Sequence, residues 1–183
     1  MIPEGGPDPT MDLKAHIRSI PDFPKPGVLF RDITPLLALP AALAEVEERL
    51  TRPWTGQRPT AVAGIESRGF IFGVLLARRL GVKFIPLRKG GKLPWTRISE
   101  SYALEYGEGV LEIHDDAVGK DDRVLIVDDL LATGGTAAAA GRLIERLGAK
   151  VLGFGFVVEL AFLKGRERLG THPVAALVTY DGE

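Results

Sequence analysis

Two adjacent acids, Asp128 and Asp129, close an apolar run, and a turn of small residues, Ala132-Thr133-Gly134-Gly135-Thr136, opens an alanine-rich one, all within VLIVDDLLATGGTAAAAGRL. Neighbouring carboxylates repel each other, so a fold gains little from the pair unless something shared, a cis-diol or a cation, is held beside them. The 2′ and 3′ hydroxyls of a ribose would satisfy both. The turn offers backbone N–H groups unobstructed by large side chains, two hydroxyls and a helix N-terminus behind them, which together cradle a phosphate. No Gly-Lys-Ser/Thr follows, so it is not the ATP-binding loop, nor is it the Gly-x-Gly-x-x-Gly dinucleotide turn. Diol and phosphate sites a few residues apart imply a ribose 5-phosphate.

A second strand exit, AGIESRGF, places Ser67 and Arg68 before another helix, where the guanidinium can clamp a second anion. Arg88, Lys89 and Lys92 form a small basic cluster able to neutralise a leaving pyrophosphate.

These residues need elements to hold them. Strand-like runs at TAVAGI, KFIPLR, VLIVDD, VLGFGFVVEL and VAALVTY alternate with helical patterns at PAALAEVEERL, FIFGVLLARRLG and TAAAAGRLIERLG. The alternation predicts an α/β fold: a single domain with an open, mainly parallel sheet flanked by helices, and acids at the carboxyl end of a strand, where such sheets bind ligands. Gly81 and Gly148 suit left-handed helix caps. Two regions interrupt the pattern. Residues 20–37 carry four prolines and read as an irregular hood over the sheet. Residues 89–114 read as a long flexible hairpin whose arms meet at Gly107-Glu108-Gly109, a length that is usually functional. Residues 1–11 read as a mobile leader and 12–183 as the domain.

Composition narrows the chemistry. The 183 residues include no cysteine, which excludes thiolate nucleophiles and disulfides, and His16, His114 and His172 lack metal-ligand spacing. A net charge of −1 gives no footprint for nucleic acid or an anionic membrane. No signal sequence or run of eighteen apolar residues is present, which points to a cytoplasmic address.

The strand, acid pair and Thr-Gly-Gly-Thr loop at 124–136 resemble the signature of the type I phosphoribosyltransferases. FPKPGVLFRDITPLL, IESRGFIFG, RKGGKLPW, SYALEYG and VVELAFLKGRERL are similar, in order and spacing from about residue 12, to the branch of that family acting on adenine. The resemblance implies transfer of a 5-phosphoribosyl group from phosphoribosyl pyrophosphate to adenine, a purine-salvage reaction giving AMP and pyrophosphate. It implies Mg²⁺ held mainly by substrate oxygens and water, with no dedicated protein cage. Asp128 and Asp129 would hold the ribose, and Ala132, Thr133, Gly134, Gly135 and Thr136 the 5′-phosphate. Ser67, Arg68, Arg88, Lys89, Lys92 and Tyr106 would serve the pyrophosphate, with some basic residues reaching a neighbouring subunit of a homodimer. A cis peptide in the Ser67 turn is also implied. Leu29, Phe30 and Arg31 of the hood correspond to adenine contacts, with Leu160 over the opposite face, and Glu105 is the candidate for the proton shifted on the purine ring.

Two rivals stay open. A 6-oxopurine transferase would place a cation against O6, for which Lys164 is the candidate. A regulator sensing phosphoribosyl pyrophosphate would keep both loops but needs a basic nucleic-acid face.

Overall fold

The computed structural model describes residues 11–103 and 108–182. In chain order its elements are β1 (Arg18–Ile20), β2 (Phe30–Asp32), α1 (Thr34–Leu37), α2 (Pro40–Thr51), β3 (Ala61–Ile65), α3 (Gly69–Leu80) and β4 (Lys83–Lys89). There follow β5 (Arg97–Ala103), β6 (Glu108–His114), β7 (Arg123–Leu131), α4 (Gly135–Arg146), β8 (Lys150–Leu160) and β9 (Val174–Tyr180).

The main sheet runs β5-β6-β4-β3-β7-β8-β9. From β4 to β9 its neighbours are parallel, whereas β6 joins β4 antiparallel through Arg88 and Lys89, and β5 pairs antiparallel with β6. A sheet buried on both faces needs continuous apolar strands rather than alternating ones. In β7, Val124 and Ile126 pack with Ala139, Leu143 and Ile144 of α4. Leu125 and Val127 pack on the other face with Val46 and Leu50 of α2 and Phe72 and Leu76 of α3. Every one of these side chains is fully buried. Alanines on α4 keep that helix close to the sheet, with Ala137, Ala139 and Ala140 all buried.

The expected alternation holds, and both glycine caps adopt positive φ, +68° at Gly81 and +84° at Gly148. Two expectations change. The hood is less irregular than its prolines suggest, because β1 and β2 pair antiparallel, with Ser19 opposite Arg31. The hairpin arms also run further toward each other than read, so Glu108 and Gly109 belong to β6, opposite Ala103 and Tyr102. The reason is steric: the Tyr102 ring occupies the space a Gly109 side chain would need, so this glycine serves a strand and not a turn. Residues 1–10 of the expected leader lie outside the described residues, while half-buried Met11 accepts a hydrogen bond from Arg49 through its carbonyl.

Candidate active site

The chain leaves β3 for β4 in one direction along the sheet and leaves β7 for β8 in the other, and β3 and β7 are neighbours. The crevice at such a reversal is where open α/β sheets bind ligands. Two helix N-termini face it. Neither α3, entered at Arg68, nor α4, entered at Gly134, receives a side-chain cap, although a cap is worth about 1 kcal/mol. In α3 the Phe70 and Ile71 N–H groups already donate to the Ser67 and Arg68 carbonyls, whereas the first-turn N–H groups of α4 are left to an outside acceptor.

Asp128 and Asp129 lie near the carboxyl end of β7, which runs on to Leu131, beside this crevice. Burial, then the adjacent Asp129 charge, push the Asp128 carboxyl well above its ordinary range. Asp129 is also raised by burial, with the Arg68 charge pulling it back. Arg68 Nε lies 2.9 Å from Asp129 Oδ2, yet that buried oxygen accepts no aligned hydrogen bond among the described residues. A carboxylate pair kept at such cost, with an acceptor to spare, suits a hydroxyl donor or a cation shared with a ligand. The close seat of α3 depends on Gly69, whose Cβ would come within 2.9 Å of Asp128 Oδ1.

The small-residue turn follows. Gly134 has φ +80°, and a Cβ there would run into the Gly165 carbonyl, just as a Cβ on Gly165 would meet the Ala132 carbonyl. Two glycines thus let the segment after β8 press on the turn. The same segment is pinned by buried Glu159, whose carboxylate takes both Nε and Nη2 of Arg166 at 2.6 Å. Ala132, Thr133, Gly135 and Thr136 open onto a cavity of about 700 Å³, walled across from them by Leu29 and Arg31 of the hood and by Leu160. That volume suits a nucleotide-sized ligand.

Within the hood, the Arg31 side chain is buried, bonded to Ser19 and stacked 3.8 Å from the Tyr180 ring centre, so its guanidinium serves as an anchor. Phe30 stands beside Arg68, whose guanidinium carbon is 5.5 Å from its ring centre, and meets Phe23 edge-on at 5.1 Å. Lys164 is exposed, sits at φ +54° between two short 3-10 turns, and is not among the cavity's wall residues.

At the β3 exit the Glu66–Ser67 peptide is cis. Glu66 gathers the basic cluster: Arg88 Nε donates at 3.0 Å, the Lys89 N–H at 2.9 Å and Lys92 Nζ at 2.7 Å. Burial alone would raise its carboxyl, but bonds from Lys92, the Lys89 N–H and Arg88 outweigh it and hold the pKa at about 2. Ser67 is exposed at the head of this turn. The hairpin comes down on the other exit, with the Ala103 carbonyl 3.2 Å from where a Gly135 Cβ would sit. Glu100 of β5 ties it to α4 through Arg142 at 2.6 Å and Arg146 at 2.9 Å. Glu105 and Tyr106 lie outside the described residues.

Sequence reasoning missed Glu66, Glu159, Gly165 and Arg168. Glu66 carried a signal, since an acid between a strand end and a basic loop can organise that loop. The others are recognisable only once the segment after β8 is seen against the turn.

The crevice, acid pair and uncapped turn define a protein that handles a phosphorylated sugar, and the chain belongs to the phosphoribosyltransferases: the family model for the phosphoribosyl transferase domain matches residues 32–172. It is 60% identical over 168 residues to the adenine phosphoribosyltransferase of Nitrosococcus oceani, covering 92% of this chain and 98% of that one. The Anaeromyxobacter dehalogenans adenine phosphoribosyltransferase is 55% identical with the same coverage. Among solved structures, adenine phosphoribosyltransferase from Rhodothermus marinus superposes with a TM-score of 0.88 at 51% identity, over 92% of this chain and 96% of that one. The Giardia lamblia enzyme, in complex with 9-deazaadenine, has a TM-score of 0.88 at 40% identity, over 92% and 96%.

Proposed function

We infer that the chain transfers the 5-phosphoribosyl group of phosphoribosyl pyrophosphate to adenine, forming AMP and pyrophosphate. One observation carries this: an uncapped small-residue turn, three residues beyond a buried acid pair, opens onto a cavity whose far wall is the hood. The relatives at 55–60% identity over nearly their whole length are adenine phosphoribosyltransferases, which supports the same base and product here.

In this reading the bond from ribose C1′ to the pyrophosphate oxygen breaks, the bond from C1′ to purine N9 forms, and a proton leaves the base. Asp128 and Asp129 accept from the ribose hydroxyls, a role favoured by the spare acceptor on Asp129. The Ala132–Thr136 backbone and both threonine hydroxyls receive the 5′-phosphate. Ser67, Arg68 and the cluster on Glu66 meet the pyrophosphate, which would draw Arg88, Lys89 and Lys92 from the carboxylate that aligns them. Leu29 and Arg31 offer main-chain donors and acceptors to the adenine edge, Leu160 covers a face, and Phe30 packs behind Arg68. Glu105 takes up the purine proton, and Tyr106 seals the pyrophosphate side. Mg²⁺ fits this donor set beside the acid pair, held chiefly by substrate oxygens and water; when bound it spreads the charge developing on pyrophosphate.

A homodimer belongs to the same reading. The exposed Ile71 and Val74 of α3 and Trp95, 75% exposed, are the apolar surfaces that support it. No helix among the described residues is long and apolar enough to cross a membrane, and we take the protein to act in the cytoplasm.

The test is a product assay with phosphoribosyl pyrophosphate and Mg²⁺, offering adenine, guanine, hypoxanthine and xanthine separately. AMP alone is expected. A 6-oxopurine nucleotide would overturn the base assignment, and substrate binding without any product would favour a sensing role. Replacing Glu105 by Gln lowers turnover about a hundredfold with substrate affinity kept; undiminished turnover removes Glu105 from proton transfer.

A further inference from the structure

The turn that receives the 5′-phosphate contains no charged side chain, and the carboxylates just before it repel a dianion. Several cations elsewhere in the crevice are committed: Arg88 and Lys92 to Glu66, Arg68 to Asp129, and Arg31 to Ser19 and Tyr180. Arg168 differs from all of these. It is exposed and has no ion-pair or hydrogen-bond partner among the described residues, yet it forms part of the cavity wall together with Thr133, Gly135 and Thr136. Its Nη1 comes within 3.5 Å of the place a Gly135 Cβ would take, beside the uncapped start of α4.

Its position is built. Gly165 fits against the Ala132 carbonyl, Leu169 is buried, and Arg166 is spent on Glu159 and the Val174 carbonyl. The short turn at Gly165–Leu169 is thus fixed at three points and delivers one arginine to structure and the other to the cavity. We propose that Arg168 is a binding residue for the 5′-phosphate, supplying the positive charge that the Ala132–Thr136 turn lacks. The proposal rests on the transferase reading above. A planar guanidinium can hold two phosphate oxygens while the α4 N–H groups take the third.

The experiment compares wild type, Arg168→Ala and Arg168→Lys as full chains, titrating each calorimetrically with ribose 5-phosphate, AMP and adenine and measuring steady-state kinetics. Arg168→Ala weakens ribose 5-phosphate and AMP roughly tenfold to hundredfold, raises KM for phosphoribosyl pyrophosphate in proportion, and leaves adenine affinity and kcat nearly unchanged. Arg168→Lys recovers most of the loss. Unaltered ribose 5-phosphate affinity overturns the proposal. So does an equal loss of adenine affinity, which means a distorted cavity, or a fall in kcat alone, which means a brace for the hairpin. A wild-type chain that makes AMP while Arg168→Ala keeps its affinity sinks only the Arg168 role; one that makes no AMP sinks the transferase reading itself.

Discussion

In the proposed reading, the two strand exits that face each other across the crevice bind anions in opposite ways. At the β3 exit, cations are numerous and already held in place by a carboxylate, Glu66. At the β7 exit the turn is electrically neutral, shaped by glycines, and relies on backbone N–H groups beside two acids. The difference matches what each ligand group does. A group that departs needs charge that can follow it, whereas a group that stays through the reaction needs a rigid mould. Strength at the first exit is electrostatic and adjustable, and at the second it is chiefly geometric, with Arg168 adding charge from outside the turn.

The largest effect should come from the acids that border both exits. Asp128→Asn with Asp129→Asn weakens phosphoribosyl-pyrophosphate binding roughly a hundredfold, the lower end for two lost charge-assisted hydrogen bonds at about 1.5 kcal/mol each. The same variant melts no lower than wild type, because burial and mutual repulsion are relieved. Calorimetry and thermal unfolding read both halves, and undiminished affinity rejects the diol role.

Gly134→Ala tests the mould. With φ +80° and the Gly165 carbonyl in the way, it strains the backbone by about 1–3 kcal/mol, so KM for phosphoribosyl pyrophosphate rises more than tenfold and the melting temperature falls. A variant with native kinetics would mean the turn is not a rigid mould. Arg88→Ala tests the adjustable side more gently: pyrophosphate affinity drops about tenfold, near 1.4 kcal/mol, with ribose 5-phosphate affinity unchanged. Equal loss of both ligands would erase the distinction between the exits.

The smallest effect is one of acid stability. Glu66 has a folded pKa of about 2, below the ordinary value near 4.3, so its ion pairs stabilise the fold above that ordinary value and are lost as pH falls through the folded one. Urea unfolding from pH 7 to 2 should therefore find wild type and Glu66→Gln diverging by a constant amount above about pH 5 and converging below it. A difference that does not shrink on acidification contradicts the ion-pair account.

How much of this was legible depends on what each residue touches. Strands β7, β8 and β9 are plain in the sequence because burial on both faces demands unbroken apolar runs, and the acid pair stands out because nothing in a core explains it. The hood's β1–β2 pairing was hidden, since each strand has only three residues and a proline-rich loop separates them. Gly109 looked like a turn residue because its reason lies across the strand pair, in the Tyr102 ring. Glu66 resembled any solvated acid until its three donors were seen converging. Arg166 and Arg168 are indistinguishable by type, and only the Glu159 carboxylate separates their roles.

Glu66 has a consequence for the company the protein keeps. With Arg88 and Lys92 already neutralised by an internal anion, the β3 exit offers a passing polyanion such as nucleic acid less loose positive charge than its basic residues suggest. A visitor must displace that carboxylate to be held, and a compact pyrophosphate concentrates enough negative charge to do so where singly charged, widely spaced phosphates do not. The glutamate acts as a resident decoy that sets a threshold of charge density for entry.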